Sequence, residues 1–331
     1  MALDNVQFDK IMQQYEQIRM NNRKKYIENQ KKLHEEHPDI KEIDDKIVEC
    51  SIAAGVNALK KENSKLPPDY YMNRVNDLDH QRKVLMEKYG ISEEVYNIPC
   101  NCKKCGDTGY IGRQPCSCLT RRIIDSLYEN SNLGHILEKE NFDTFNFDYY
   151  DGVTIDDVRT PLTPKENIIK VVNLSKQFIS EFGKKDPYIS NIIFYGECGV
   201  GKTFLTHCIA KELIEKEYSV LYMSAIQFFN VIEGKRFRNE ADATQLYKIM
   251  QKCDLLIIDD LGTEISNSFT DSELYNIVNI RGIEEKSTII STNLKLEEIR
   301  QRYSERIFSR FIGYYTFMCI IGKDIRSIHV D

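Results

Sequence analysis

One eight-residue segment, Gly196-Glu-Cys-Gly-Val-Gly-Lys-Thr203, constrains the fold more than any other part of the sequence. Its spacing of Gly, four residues and then Gly-Lys-Thr is the pattern of a phosphate-binding loop. The apolar run Ile192–Tyr195 precedes it, and a helical pattern from Phe204 to Glu217 follows. This context predicts a strand, a loop whose backbone N–H groups surround phosphates, and a helix whose N-terminus attracts the anion.

Two side chains of this loop are expected to contact the phosphates and their metal ion. Lys202 is placed to reach the β- and γ-phosphates, and the Thr203 hydroxyl to bind Mg²⁺. The sequence therefore predicts ATP and Mg²⁺ as cofactors. The residues expected to bind the nucleotide are Gly196, Glu197, Cys198, Gly199, Val200, Gly201, Lys202, Thr203 and Phe204.

Four further apolar runs follow, with helical patterns between them. Buried strands that alternate with helices predict a parallel α/β sheet, here with five strands. Ten residues follow Ile321, so we expect no lid domain after the last strand. The four later runs are Ser219–Met223, Leu255–Ile258, Ser287–Ile290 and Phe317–Ile321, and within the first of them Tyr222 and Met223 are expected in the core.

The run that starts at Asp254 ends in two carboxylates, Asp259 and Asp260. Ligands of open α/β sheets bind at the carboxyl ends of the strands, where these two side chains are expected to lie. Asp259 is placed to hold Mg²⁺ through water, and Asp260 to orient the attacking water. The alternative is a solvated acidic turn after a buried strand.

Polar residues also follow the fourth strand. Asn293 is a candidate sensor of the γ-phosphate or of the attacking water, while the alternative is an ordinary helix cap before Leu296. Further on, Arg306 and Arg310 lie four residues apart and therefore share one face of a helix. They are either a solvated face or a source of an arginine finger for a neighbouring subunit's ATP.

Five cysteines fall between residues 100 and 118. One Cys-x-x-Cys pair and one later Cys-x-Cys pair supply four thiolates, which suffice for a closed, structural tetrahedral zinc site. Redox activity of the first pair is the alternative, but it leaves the second pair unexplained. The expected ligands are Cys102, Cys105, Cys116 and Cys118, with Cys100 as the alternate.

The rest of the sequence sets broader limits. The chain has 331 residues, which favours two domains, and its net charge of −6 means that any DNA binding needs a local basic patch. No long apolar run or signal pattern is present, so we expect a cytoplasmic protein that does not contact a membrane. In residues 1–98 the apolar residues recur at helical spacing. This pattern starts again after Pro38 and is interrupted at Pro67-Pro68, which is typical of a small helical bundle.

These motifs, taken together, resemble AAA+ ATPases of the initiator–loader clade. The matching segments are GECGVGKT, DLLIIDDLGTE, STNLKLEEI and RIFSRF, in that order. The cysteine segment and the following FDTFNFDYY make residues 100–331 similar to DnaC/DnaI-type replicative helicase loaders. The expected domains are a helical region (1–98), a zinc knuckle (99–135), a linker (136–160) and an AAA+ ATPase domain (161–331).

The resemblance implies roles for particular residues. Lys202 and Thr203 would belong to the Walker A motif, and Asp259 and Asp260 to Walker B. Asn293 would be sensor 1. Arg310 would be the arginine finger, with Arg306 as the alternative, and Arg326 is a further candidate for contact with the nucleotide.

The resemblance also implies partners. These are a hexameric replicative helicase bound through residues 1 to about 130, single-stranded DNA, and other copies of the chain assembled through the ATP sites. The expected DNA contacts are Lys235, Arg236, Phe237 and Arg238, with Phe228 and Phe229 upstream, and a solvated loop is the alternative.

The function that follows is an ATP-dependent loader of the replicative helicase, acting in initiation of DNA replication, with ATP hydrolysis stimulated by DNA or a partner. The alternative is an IstB-type ATPase that assists a transposase. A chromosomal initiator of the DnaA type would need a duplex-reading domain after the ATPase, which is not expected in the ten residues after Ile321.

Overall fold

The chain divides into two compact units, one of residues 12–108 and the other of residues 1–11 with 109–331. In the computed structural model, the described residues are 5–59, 70–129, 133–150, 162–238, 241–264 and 268–326. None of the helices in this described part combines the length and the apolar character that a membrane crossing requires.

Helices make up most of the first unit, as its spacing predicts. They are α1 (Asn5–Glu36, which begins in the second unit), α2 (Pro38–Leu59) and α3 (Tyr70–Tyr89), followed by a 3₁₀ turn, Glu93–Tyr96. Leu33, Ile40 and Met86 form a small core. Beside it, the carboxylate of Asp44 accepts hydrogen bonds from Tyr96 (2.7 Å) and Arg82 (3.1 Å), which tie the turn and α3 to α2.

The second unit contains both sheets of the described structure. Its strands are β1 (Tyr110–Ile111), β2 (Gln114–Pro115), β3 (Ile192–Tyr195), β4 (Val220–Ser224), β5 (Leu255–Leu261), β6 (Ser287–Thr292) and β7 (Thr316–Cys319). Its helices are α4 (Ser117–Glu129), α5 (Leu133–Lys139), α6 (Pro164–Glu181), α7 (Lys202–Glu215), α8 (Ala225–Glu233), α9 (Ala241–Lys252), α10 (Ser268–Ile283), α11 (Leu296–Arg302) and α12 (Glu305–Tyr314).

The larger sheet has five parallel strands in the order β4-β5-β6-β3-β7. This confirms the predicted α/β fold, and each predicted strand lies within three residues of its observed bounds. The strands are apolar because helices cover both faces of a parallel sheet. β1 and β2 pair separately as a short antiparallel hairpin.

Buried polar side chains join the edges of the large sheet to the helices around it. Asn167 of α6 donates to the carbonyl of Cys319 (3.0 Å) and accepts from the backbone N–H of Ile321 (3.0 Å), which fixes β7 against α6. α6 itself starts with Thr163, whose hydroxyl accepts from the Glu166 N–H in a capping box.

The segment expected to be a linker, 136–160, is folded over its described part. Leu137 and Tyr150 are buried in the core of the second unit, and Phe145 packs against it. Residues 151–161 lie outside the described residues. Residues 133–150 thus pack on the core of the second unit.

Candidate nucleotide-binding site

The loop between β3 and α7 adopts a backbone that its glycines permit. Gly201, with φ of +95°, stands directly before α7, and Gly196 has φ of +148°. A Cβ on Gly196 would lie 2.3 Å from the carbonyl oxygen of Ile320, where the chain leaves β7. Side chains other than hydrogen are therefore excluded at Gly196 by both its backbone angle and its neighbour.

Lys202 is buried inside this loop, with 5% of its surface exposed. Its ammonium donates to the backbone carbonyls of Gly196 (2.8 Å) and Glu197 (2.6 Å). Burial lowers the pKa of Lys202 from its ordinary value. The loop thus holds a cation at its centre, where a phosphate group would compensate the loss of solvation.

Three hydroxyl groups converge on the carboxylate of Asp259. The Thr203 hydroxyl lies 3.1 and 3.2 Å from its two oxygens, and the Tyr222 hydroxyl donates to Oδ2 at 2.7 Å. The Ser291 hydroxyl donates to Oδ1. Thr203 and Asp259 are therefore neighbours, as the predicted Mg²⁺ site requires. The sequence had indicated neither Ser291 nor the hydroxyl of Tyr222, whose ring packs on the core as expected.

Asp260 is turned out of the regular strand. Its φ is +56°, and the pairing of β5 with β6 shifts register between Ile258 and Leu261. The Asp260 N–H donates to the Ser291 hydroxyl at 2.9 Å, which holds the bulge. Such bulges re-aim side chains beside functional sites. Burial, followed by the charge of Asp259, raises the pKa of Asp260 from its ordinary value.

A cavity of about 410 Å³ opens beside this cluster. Lys202, Thr203, Asp260 and Asn293 line one part of it, so the structure brings these predicted site residues together. The remaining lining residues include Glu140, Thr144, Phe145, Asn146, Tyr149, Tyr150, Phe204, Ile325 and Arg326.

Aromatic side chains from residues 145–150 form the other wall of this cavity. Tyr150 donates to the Val200 carbonyl (2.9 Å), and the rings of Phe145 and Phe204 meet edge to face with centroids 5.5 Å apart. A planar base fits an aromatic wall of this kind. These residues fall within the predicted linker, 136–160, and the density of aromatic residues there is the sequence signal for this wall.

The comparisons with known proteins agree with this site. Residues 182–312 match a family model described as IstB-like ATP binding protein. The replicative helicase loader DnaC of Escherichia coli (strain K12) is 28% identical over 146 residues, which span 44% of this chain and 58% of that protein. The replicative helicase loader DnaI of Bacillus subtilis (strain 168) is 30% identical over 118 residues, 35% of this chain and 37% of that protein.

A crystal structure of the DnaC helicase loader also matches, at 21% identity and a TM-score of 0.44, over 56% of this chain and 99% of that one. The sequence matches confirm the resemblance to DnaC/DnaI loaders. The loop between a strand and a helix in a five-stranded parallel α/β sheet agrees with the ATP-binding description of the family model. The matched segments span 58% and 37% of DnaC and DnaI, respectively.

The two arginines of α12 lie outside the cavity wall just described. Arg306 is exposed, and the Arg310 guanidinium lies 5.3 Å from the Tyr314 ring centroid and donates to its hydroxyl at 2.9 Å. A hydrogen bond with Tyr275 raises the pKa of Arg310. Both therefore stay candidates for a contact with another copy of the chain.

The cysteine segment brings four thiols together. The Sγ atoms of Cys102, Cys105, Cys116 and Cys118 all lie within 4.8 Å of one another, and Cys100 is outside this group. Bonds of about 2.3 Å from zinc place tetrahedral thiolates a little under 4 Å apart, so the group fits zinc.

Asp107, which belongs to none of the sequence motifs, supports the first thiol pair. This buried residue accepts hydrogen bonds from the N–H groups of Asn101 (2.8 Å) and Cys102 (2.7 Å). It also accepts from the side-chain amide of Asn22 (3.0 Å). Asp107 thus fixes the backbone turn that presents Cys102.

The basic segment expected to contact DNA forms one π-helical turn, Gly234–Arg238. Lys235 Nζ lies 3.2 Å from the Tyr247 ring centroid, and Arg236 is exposed. The side chains of Phe237 and Arg238 lie outside the described residues. Phe228 and Phe229, upstream of this segment, are 0% and 5% exposed and belong to the core of α8, so their rings are not available for stacking on bases.

Proposed function

We propose that this protein is an ATP-dependent loader that binds a ring-shaped replicative helicase and delivers it onto single-stranded DNA. The observation that carries the proposal is the grouping of Lys202, Thr203, Asp260 and Asn293 around one cavity, with Asp259 hydrogen-bonded to Thr203, in a chain that resembles proteins named helicase loaders. In this proposal the nucleotide state of the site times the binding and release of the helicase.

The nucleotide chemistry follows from the positions of these groups. Lys202 binds the β- and γ-phosphates, while Thr203 and Asp259 hold Mg²⁺, which neutralises charge on the phosphates. Asp260 accepts a proton from the attacking water, and its raised pKa brings it closer to neutral pH, which suits a general base. Asn293 senses the γ-phosphate from the end of β6.

Zinc, held by Cys102, Cys105, Cys116 and Cys118, has a structural role in this proposal. Four protein thiolates complete a tetrahedral shell and leave no position for water or substrate. The metal replaces the apolar core that a segment of this length lacks. It therefore stabilises the turn and the hairpin between these cysteines.

The first unit provides a surface for the helicase. Val48, Ile52 and Val56 follow one another at four-residue spacing on α2 and are 56%, 62% and 46% exposed. Side chains at this spacing share one helix face. An exposed apolar face on a helix is typical of protein–protein contacts.

DNA binding and self-association complete the proposal. Lys235, Arg236 and Arg238 neutralise the phosphates of single-stranded DNA beside Phe237. Copies of the chain assemble so that Arg310 of one copy, or else Arg306, reaches the ATP of the next. The charge of that arginine stabilises the transition state, which makes hydrolysis depend on assembly.

The decisive measurement is gel filtration with light scattering of the full chain mixed with a hexameric replicative helicase, with and without ATP. The variant Ile52→Asp places a charge on the apolar face of α2 and is expected to abolish the complex. The matched control is Ile169→Asp on α6, whose side chain is 41% exposed and lies in the other unit, and it should retain the complex.

A wild-type chain that binds ATP but forms no complex with the helicase would reject the loader function and leave the ATPase assignment intact. Fluorescence anisotropy with oligo-dT then tests the proposed binding of single-stranded DNA. The double variant Lys235→Ala, Arg236→Ala should bind oligo-dT more weakly and with a smaller salt dependence.

An IstB-type ATPase that assists a transposase is the second candidate, because residues 182–312 match a family model described as IstB-like ATP binding protein. It predicts ATP-dependent binding that prefers duplex over single-stranded DNA. Anisotropy with matched duplex and single-stranded probes separates the two candidates.

A further inference from the structure

Tyr222 occupies a position on β4 beside the carboxyl end of β5. Its hydroxyl donates to Asp259 Oδ2 at 2.7 Å. We propose that Tyr222 is a positioning residue, which orients the Asp259 carboxylate for Mg²⁺ in the nucleotide site. This inference rests on the proposed ATP and Mg²⁺ site and adds to it a residue that the motifs leave out.

The contacts around the carboxylate show why orientation is at stake. The Ser291 hydroxyl donates to Oδ1 from β6, while Tyr222 donates to Oδ2 from β4. These two donors lie on the strands at either side of β5, and together they fix the rotation of the carboxylate about its bond to Cβ. The remaining lone pairs are then available on the side of Thr203, whose hydroxyl is 3.1–3.2 Å away.

Tyr222 is itself held firmly. Its ring packs on the His207 ring with centroids 4.8 Å apart, and His207 Nδ1 lies 2.6 Å from Glu140 Oε2. The Tyr222 backbone N–H donates to the Tyr128 hydroxyl at 3.1 Å. The phenol therefore has one position relative to Asp259, set from both its ring and its backbone.

Loss of the Tyr222 hydroxyl is expected to affect Mg²⁺ binding and not the nucleotide itself. Outer-shell partners of metal ligands typically change metal affinity by 10- to 100-fold when they are removed. Loss of the Tyr222 hydroxyl should therefore weaken the gain in nucleotide affinity that Mg²⁺ provides. Nucleotide binding without metal depends on the loop and Lys202, and should not change.

The test compares Tyr222→Phe with Tyr218→Phe in the full chain. Tyr218 donates to the Phe182 carbonyl (3.0 Å), so the control also loses one phenol hydrogen bond. Titrations with a fluorescent, non-hydrolysable ATP analogue are made in excess Mg²⁺ and in EDTA. The ratio of the dissociation constant in EDTA to that in Mg²⁺ measures the gain in affinity from the metal. This ratio should fall about 10-fold in Tyr222→Phe and stay at the wild-type value in Tyr218→Phe.

An unchanged ratio in Tyr222→Phe overturns the proposal, and so does an equal loss of affinity in Mg²⁺ and in EDTA, which indicates a structural role only. Circular dichroism checks that the variant is folded. If it is not, His207→Gln, which loosens the ring of Tyr222 but keeps its hydroxyl, should reduce the ratio about threefold, and an unchanged ratio there is a rejection. A wild-type chain that fails to bind the analogue in Mg²⁺ rejects the ATP site itself.

Discussion

The two ends of strand β5 carry similar charged residues but use them in opposite ways. At the amino end, Asp254 and the nearby Arg281 are enclosed by protein partners. At the carboxyl end, Asp259 and Asp260 lie beside the cavity, where Asp260 forms part of the lining. The strand between them is buried and apolar at Leu255–Ile258.

At the amino end, Asp254 accepts hydrogen bonds from the N–H (3.0 Å) and hydroxyl (2.6 Å) of Ser219 and from Lys286 Nζ (2.7 Å). Burial acts to raise the pKa of Asp254, but the hydrogen bonds from Lys286 and Ser219 outweigh it and lower the pKa overall. This end joins β4, β5 and β6 and stabilises the sheet.

Arg281 completes this end and is fully buried. Its guanidinium donates to the carbonyls of Met250 (2.7 Å) and Cys253 (3.0 Å), to the carbonyl of Ser287, and to the Thr288 hydroxyl (3.0 Å). It thus satisfies carbonyls at the end of α9, before β5 and at the start of β6. No motif indicated this residue.

At the carboxyl end of β5, by contrast, the Asp260 carboxylate lies close to the like charge of Asp259. The pKa of Asp260 is raised by burial and by the charge of Asp259, and its backbone has φ of +56°. A protein accepts such local strain where the groups serve a ligand. The comparison teaches that the same sheet is built for stability at one end and for binding at the other.

The largest expected effect tests the amino end. Arg281→Met leaves several buried carbonyls without a partner, at about 1–3 kcal/mol each, so the free energy of unfolding should fall by about 3–5 kcal/mol. Urea unfolding followed by circular dichroism measures it. Lys252→Met, which removes an exposed ion pair with Glu284, is the control and should change less than about 1 kcal/mol. Equal effects of the two variants would contradict the comparison.

The next effect tests the carboxyl end. Asp260→Asn should reduce the ATP hydrolysis rate about 100-fold while nucleotide affinity stays within a few-fold, because a general base contributes at least this factor. Because the base works unprotonated and its pKa is raised, the wild-type rate should rise with pH above the ordinary aspartate range. Asp260→Asn should lose that dependence. If Asp260→Asn hydrolyses ATP at the wild-type rate, Asp260 is not the general base.

A smaller effect separates the two aspartates by their response to pH. Asp254→Asn should lower the free energy of unfolding by about 1–2 kcal/mol at neutral pH. Since the folded pKa of Asp254 is lowered, its stabilisation is present above the unfolded pKa and is lost as pH falls through the folded pKa. The difference between variant and wild type should therefore shrink below about pH 4. A difference independent of pH would mean that the charge of Asp254 is not responsible.

The smallest effect concerns the aromatic wall. Tyr150→Phe removes the hydrogen bond to the Val200 carbonyl but keeps the ring, so ATP affinity should fall only about 3- to 5-fold, in line with roughly 1 kcal/mol for one hydrogen bond. Calorimetric titration measures it, and Tyr150→Ala should lose considerably more. If both variants bind ATP like the wild type, this wall does not contact the base.

Some parts of this site were predictable because their signals are local. The loop Gly196–Thr203, the run ending in Asp259 and the position of Asn293 each follow from a strand and the residues next to it. The alternation of apolar runs and helical patterns was enough for the parallel sheet. The paired spacing of Cys102 with Cys105 and of Cys116 with Cys118 likewise predicted the thiol cluster.

The sequence by itself thus determined which segments form the parallel sheet and which residues lie at the carboxyl ends of its strands, since chain neighbours stay neighbours after folding. Only the tertiary structure decided the partners of those residues. Tyr222, Ser291 and Tyr150 lie 37, 32 and 50 residues from the groups they bind, on other strands or turns. Their contacts arise from strand order and register, which no local pattern encodes, and so does the burial of Arg281 at the opposite end of the sheet.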